Sequence, residues 1–372
     1  MRKSITTGLI ALFAIVMCVA TVQAQNATSS TDNSLTWEFD RSTKTLTISG
    51  EGEMPDFGVI RNIPPWDELK HMILQLVITE GVTSIGYCAF ASLPELQVVR
   101  LPKSLTKIGG SAFMGCMALR NVTIPAGVNE IDAYAFSNCV SLTQYTVDEG
   151  NATYADVDGV IFNKEKTSVL MYPIGREDES YHIPAGVKTT GKHAFVGLVW
   201  LTEVTAPAGM ESFGASAFTD CRRLKSVTLP DGFLMLNEYA FNGCENLENI
   251  VVLGKTPPQV QSGAFYHTPL SNITLTVPKG AKAAYAAAPV WKEFKQIAES
   301  TVSNVLLPEA RIYTADGRLY FTLSRAETVH IYNVSGALVR TFNAPAGETS
   351  VTLPQGVYVV RAGERTKKVF IH

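Results

Sequence analysis

Leu119-Arg120-Asn121-Val122-Thr123-Ile124-Pro125-Ala126-Gly127-Val128-Asn129-Glu130-Ile131-Asp132-Ala133-Tyr134-Ala135-Phe136 is the stretch that decides the fold. Val122 and Ile124 alternate with Thr123, the period-two pattern of a strand with one buried face. Pro125 has no N–H to give to a ladder and ends that strand. The unit returns as Leu224-Lys225-Ser226-Val227-Thr228-Leu229-Pro230 leading to Ala240-Phe241, and Ala-Phe itself recurs with Phe90, Phe113, Phe136, Phe195, Phe218, Phe241 and Phe265. The intervals are 23, 23, 59, 23, 23 and 24, so one interval alone breaks step. Leu119, Val122, Ile124, Val128, Ile131, Phe136 and Cys139 are too many apolar groups for one short unit to bury. Successive units must therefore stack and share a core, which makes a solenoid.

These residues resemble the BspA-like class of bacterial leucine-rich repeats, whose unit is a Leu-x-x-Ile-x-Leu-Pro strand, a Val-x-x-Ile step and Ala-Phe-x-x-Cys-x-x-Leu. The resemblance runs from about Leu35 to Ser300 and implies a mainly β, right-handed leucine-rich-repeat solenoid with coils of about 23 residues. It also implies an N-terminal capping hairpin region over 25–68, carrying Trp37, Phe39, Ile48 and Trp66, and repeats over 69–299. The end of the repeats, near 254–299, is similar to the family's closing cap, with Pro257, Pro258, Tyr285, Trp291, Phe294 and a short helix from Ala281. The 59-residue interval equals one 23-residue unit plus 36. The extra piece, near 148–182, reads as a β-hairpin, because Asp158-Gly159 between apolar runs favours a tight turn.

Both ends of the chain point to export. Arg2 and Lys3 precede an apolar run from Gly8 to Val22, and Val22-Gln23-Ala24 fits a peptidase site, so residues 1–24 read as a cleaved signal peptide. The run is shorter than the roughly 20 residues a spanning helix needs, and no later run is longer. Residues 300–310 read as a linker. From 311 to 372 short alternating strands are punctuated by Gly336, Gly347, Gly356 and Gly363. This segment, with Val329-His330-Ile331-Tyr332 and Gly356-Val357-Tyr358-Val359-Val360, resembles the C-terminal sorting domains of type IX (Por) secretion, which are small antiparallel β-sandwiches. The alternative is an immunoglobulin-like sandwich acting as a spacer. Sorting of this kind implies a secreted protein or one on the outer surface of a Gram-negative bacterium.

Charge argues against nucleic acid. The net charge is −3; without Arg2 and Lys3, and without the eight basic and four acidic residues from Arg311 onward, the body sits near −9. Phosphate contacts need clustered Lys and Arg, which that body lacks. Catalytic chemistry is also missing: there is no Gly-x-Ser-x-Gly, no Gly-x-x-x-x-Gly-Lys, no His-Glu-x-x-His and no paired Cys-x-x-Cys. The chain reads as a non-enzyme with no catalytic residue, no metal site and no cofactor. Asp156-Val157-Asp158-Gly159 opens like a calcium loop but lacks the glutamate at position twelve. Cys116, Cys139, Cys221 and Cys244 all follow the repeat phenylalanine by three, where other units have Leu93 and Leu198, so they read as core residues; Cys88 stands apart. Asn121-Val122-Thr123, Asn151-Ala152-Thr153 and Asn272-Ile273-Thr274 match a glycosylation pattern that repeat strands carrying Thr produce by chance.

What remains is binding. Stacked strands turn each outward position into a column, one holding Arg100, Thr123, Thr146, Thr205, Thr228, Val251 and Thr274, its neighbour Val98, Asn121, Gln144, Glu203, Ser226, Asn249 and Asn272. Arg100, Asn121, Thr123, Gln144, Thr146, Glu203, Thr205, Ser226, Thr228 and Asn249 are the candidate ligand-binding residues. Threonine at such sites also follows from β-propensity alone. The family resemblance implies adhesion, with a host extracellular-matrix protein, a glycan or another bacterial surface as partner. The alternative is a non-binding structural spacer or envelope component.

Overall fold

The structure, a computed structural model, describes residues 35–300 and 311–371 and the strand Gln25–Asn26, apart from positions 59, 133, 316, 324, 325, 346 and 364. The expected leader, residues 1–24, and linker positions 301–310 lie outside the described residues.

The protein is mainly β, a solenoid followed by a small sandwich of antiparallel sheets. In Asn121–Ile124 and Gln144–Val147 the strand alternates exposed and buried residues and pairs in parallel with its neighbour one coil away. A second, two-residue strand such as Lys107–Ile108 or Glu130–Ile131 builds the opposite sheet. Between these strands runs the Ala-Phe turn, and the stacking explains its composition. Within each stack the phenylalanine N–H donates to the carbonyl of the next coil's alanine, as in Phe113 to Ala135 and Phe218 to Ala240, both at 2.8 Å. A small alanine lets the chains approach. The rings stack in a ladder, Phe90–Phe113 at 5.5 Å and Phe113–Phe136 at 5.2 Å, then Phe195–Phe218 at 4.8 Å and Phe218–Phe241 at 5.2 Å.

Two residues per turn take the left-handed conformation. One precedes the phenylalanine by two, as in Cys88, Ser111, Tyr134, His193 and Tyr239; the other follows it by two, as in Ser92, Gly115, Asn138, Gly197 and Asp220. The second position carries the Gly, Asn and Asp expected where φ is positive. The first does not, and it accounts for Cys88, which occupies this turn position and not the core column.

Both ends are closed by tryptophan. Trp66 stacks on Phe90 at 5.3 Å in place of the preceding coil's phenylalanine, and its Nε1 donates to the Ala89 carbonyl at 3.0 Å. Beyond it the antiparallel pair Thr36–Asp40 and Thr45–Ser49 covers the first coil, the latter pairing in parallel with Gln75–Ile78. At the far end Trp291 Nε1 donates to Pro258 O at 2.7 Å, and Tyr285, on the helix Lys282–Ala287, donates its hydroxyl to Gly254 O at 2.9 Å.

The extra residues divide the solenoid into two stacks. They form three strands, one more than the hairpin read from sequence: Tyr154–Val157, Val160–Asn163 and Ser168–Met171. Asp158 and Gly159 at the first turn both have positive φ, the geometry of a two-residue hairpin loop. Val160–Asn163 is buried on both faces: Ile161 packs into the first core, Val160 and Phe162 into the second. Ser168–Met171 then pairs in parallel with Thr189–Thr190 and leads the second stack's minor sheet.

The C-terminal module pairs a three-stranded sheet (Arg311–Ala315, Arg318–Leu323, Gly347–Thr352) with a four-stranded one (Leu338–Ala344, Glu327–Asn333, Gly356–Ala362, Arg365–Ile371). Its core of Ile312, Phe321, Val329, Ile331 and Val360 is separate from both solenoid cores.

Candidate functional site

The outward columns exist, but across three sheets: Val98–Arg100 pairs back to Gln75–Ile78, Asn121–Ile124 and Gln144–Val147 pair with each other, and Ser180–His182 begins the sheet of the second stack. In the first stack Arg100, Asn121, Thr123, Gln144 and Thr146 are all exposed, and Gln144 and Thr146 sit in register with Asn121 and Thr123. In the second stack a new sheet begins at Ser180–His182, so its columns run Ser180, Glu203, Ser226, Asn249, Thr274, Gln296 and His182, Thr205, Thr228, Val251, Thr276, Ala298. Two expectations are corrected here. Thr274 pairs with Asn249, so Thr276 and not Thr274 continues the Thr228 column, and Asn272 lies in the 3₁₀ turn Leu270–Asn272. That turn displaces the strand by two residues from the 23-residue step. Thr228 is also not an exposed site: it is 5% accessible, while Glu203, Thr205 and Ser226 are half-buried and Asn249 is exposed.

The opposite, minor sheet of the first stack holds a groove of about 740 Å³ that the sequence reading did not single out. Glu53, Asp56, Glu130 and Asp132 line it around Lys107, with Tyr87 at its edge. The Lys107 ammonium lies 2.7 Å from Glu130, and that hydrogen bond and charge raise its pKa. The signal was the outward position of the Val-x-x-Ile step, which places Lys107 and Glu130 opposite each other across adjacent coils. A second cavity, about 280 Å³, opens where the stacks meet, between Tyr134, Tyr154, Met171 and His193. Tyr134 and His193 are 59 residues apart in sequence, yet their rings lie 4.1 Å apart because the insertion brings two left-handed turns side by side.

The cysteine column is part of the scaffold. Cys116, Cys139, Cys221 and Cys244 are buried free thiols, and each Sγ donates to the carbonyl of the preceding coil's phenylalanine: Phe90, Phe113, Phe195 and Phe218, at 3.0–3.2 Å. Thr268 occupies the same position in the last repeat and donates to Phe241 O at 2.6 Å. Leu93 and Leu198 stand where no repeat phenylalanine immediately precedes. Burial pushes the Cys221 thiol up to about 12 and raises Cys116 and Cys244 as well, which makes them poor nucleophiles and poor ligands. Among the described residues no group of three or more His, Cys, Asp or Glu is placed to hold a metal ion.

Asn151 is structural too. It is 1% accessible; its Nδ2 donates to Pro125 O and Val128 O at 2.8 Å each, and its Oδ1 accepts from the N–H groups of Thr153 and Tyr154. A side chain so engaged offers nothing to a glycosyl group.

The chain matches the family model described as BspA type leucine rich repeat region in six copies, over residues 70–164 and 177–284; the gap falls in the insertion. No curated protein matches. Among solved structures it is similar to a leucine-rich repeat protein from Eubacterium ventriosum, at 20% identity and a TM-score of 0.45, covering 76% of this chain and 96% of that one. It is also similar to the pneumococcal vaccine antigen PcpA, at 16% identity and TM-score 0.42, covering 75% and 99%. A leucine rich cell surface protein from Faecalibacterium prausnitzii gives 20% identity and TM-score 0.36, covering 75% and 96%.

Proposed function

The chain belongs to the BspA-type leucine-rich repeat family, and from that premise we propose that it is an exported, surface-exposed or secreted adhesin-like scaffold that binds a macromolecular or glycan partner along its outward strand columns. One observation carries this reading. Asn121, Thr123, Gln144 and Thr146 are exposed polar groups in register on two strands whose opposite faces are locked in the core, and Arg100 is exposed on the strand one coil before them. Groups at strand spacing on a rigid backbone suit an extended partner making many modest contacts, because little backbone or loop ordering remains to oppose binding. An extended segment of a matrix protein, a glycan chain or a polymer of another bacterial surface has that shape. The leader at 1–24 and a sorting role for the C-terminal sandwich would place this field on the outside of a Gram-negative cell.

The test is a screen of the chain against immobilised matrix proteins and glycans, repeated with Arg100→Ala, Asn121→Ala and Gln144→Ala combined. At about 0.5–1.5 kcal/mol per lost hydrogen bond, three changes weaken binding by roughly ten- to a thousandfold. Unchanged affinity in the triple variant would move the site elsewhere. A chain that binds nothing in the screen would be a spacer.

A further inference from the structure

Thr228 faces outward by the alternation of its strand, between Val227 and Leu229 of the core, yet it is 5% accessible. Its counterparts Thr123 and Thr146, in the same kind of strand in the first stack, are exposed. A parallel sheet leaves an outward threonine open unless something lies over it. The column containing Thr228 passes through Thr205 to His182, and the His182 ring meets Tyr313 of the C-terminal module at 5.3 Å. Tyr313 stacks on its cross-strand partner Tyr320 at 5.2 Å, on the face of the three-stranded sheet opposite the module's core residues Ile312, Leu319 and Phe321. Beside this contact lies a cleft of about 310 Å³. Asp158, Arg176, Asp178 and His182 line it from the solenoid, Arg176 pairing with Asp158 at 3.3 Å and Asp178 at 2.6 Å, which leaves one net negative charge facing Lys367 and Lys368 of the module.

We infer that the C-terminal module is an intramolecular mask. It docks the Tyr313–Tyr320 face on the strand columns of the second stack at His182, Thr205 and Thr228, and Lys367 and Lys368 complement the acidic side of the cleft. The consequence, which rests on the proposed binding role, is that the intact chain keeps the Thr205 and Thr228 part of the second-stack columns from a partner, while the first-stack field stays open. Release of the module opens the covered part. The docking itself stands or falls without any ligand.

The buried cysteines make it measurable. The five thiols from Cys88 to Cys244 are all buried, so the chain from Gln25 onward has a low labelling background. Thr228→Cys and Thr123→Cys each add one reporter thiol, read by reaction with a water-soluble disulfide reagent. In the intact chain the thiol at 228 reacts at least about tenfold more slowly than that at 123, since reactivity follows exposure. Adding Tyr313→Ala with Tyr320→Ala brings the two rates together. So does Lys367→Glu with Lys368→Glu, a surface pair that spares the module's core, while the native cysteines stay unreactive and report an intact solenoid. Equal rates at 228 and 123 in the unmodified background, or a rate at 228 that stays slow in both variants, would overturn the mask. A failed ligand screen leaves this result untouched.

Discussion

Replacing Cys221 by valine tests whether the cysteine column is a hydrogen-bonding device or only a small buried hydrophobe. The thiol lies 3.0 Å from Phe195 O, and the N–H of Leu198 points back at the sulfur. It therefore bridges a carbonyl and an amide of the preceding coil, both shut off from water. Thr268 shows the same bridge made with oxygen: its hydroxyl donates to Phe241 O at 2.6 Å and accepts from Cys244 N at 3.0 Å. Threonine and valine have nearly the same shape, so the pair Cys221→Thr and Cys221→Val isolates the bridge from the packing. Valine leaves two buried polar groups unmet, each worth about 1–3 kcal/mol, and the low end applies because the sulfur bonds being lost are weak. The expected gap between threonine and valine is about 2 kcal/mol. At roughly 2–4 °C per kcal/mol for a solenoid of this size, that is about 4–8 °C in Tm, read by calorimetry or circular dichroism. The same substitution at Cys139 should cost about half as much, since Phe113 O also accepts from Cys116 N at 3.2 Å. Valine and threonine melting within a degree of each other at 221, or equal losses at 221 and 139, would refute the bridge and leave packing as the whole explanation.

Asn151→Ala removes four hydrogen bonds at a buried point between the last coil of the first stack and the insertion. A loss of about 3 kcal/mol or more is expected in chemical denaturation, with Asn151→Asp scarcely better because it cannot donate to the two carbonyls. Glu80 accepts from the N–H groups of Lys103 at 2.9 Å and Ser104 at 3.0 Å on the next coil, and these bonds hold its pKa below the ordinary 4.5. A depressed folded pKa stabilises above the unfolded value and is lost as pH falls through the folded one, so the native chain should lose more stability than Glu80→Gln on acidification below 4.5. An equal acid response in the two would remove the role given to this carboxylate. Gly214→Ala would put a methyl 2.4 Å from Gly191 O, backbone against backbone, and should lower Tm by several degrees through local separation of the coils. Removal of 311–372 tests the sorting proposal: the shortened protein should accumulate in the periplasm, and unchanged surface display would mark the sandwich as a spacer.

The sequence alone determined the repeat, because a 23-residue period copies every local decision: the strand alternation of Val122 and Ile124, the stop at Pro125, the ring ladder through Phe113 and Phe136. Each is set by neighbours within one coil or the next, so register in the sequence becomes register in space. The caps around Trp66 and Trp291 are legible only through the resemblance to the family, since neither segment repeats. Only the tertiary structure decided where the columns break and what covers them. Val160–Asn163 splits the solenoid because both its faces are apolar, and which core each face enters depends on the coils packed on either side. The slip from Asn272 to Thr274 came from a turn with no repeat signature. Tyr134 and His193 hold equivalent repeat positions 59 residues apart, but that they touch, like the burial of Thr228, depends on how the inserted strands pack, which periodicity does not encode.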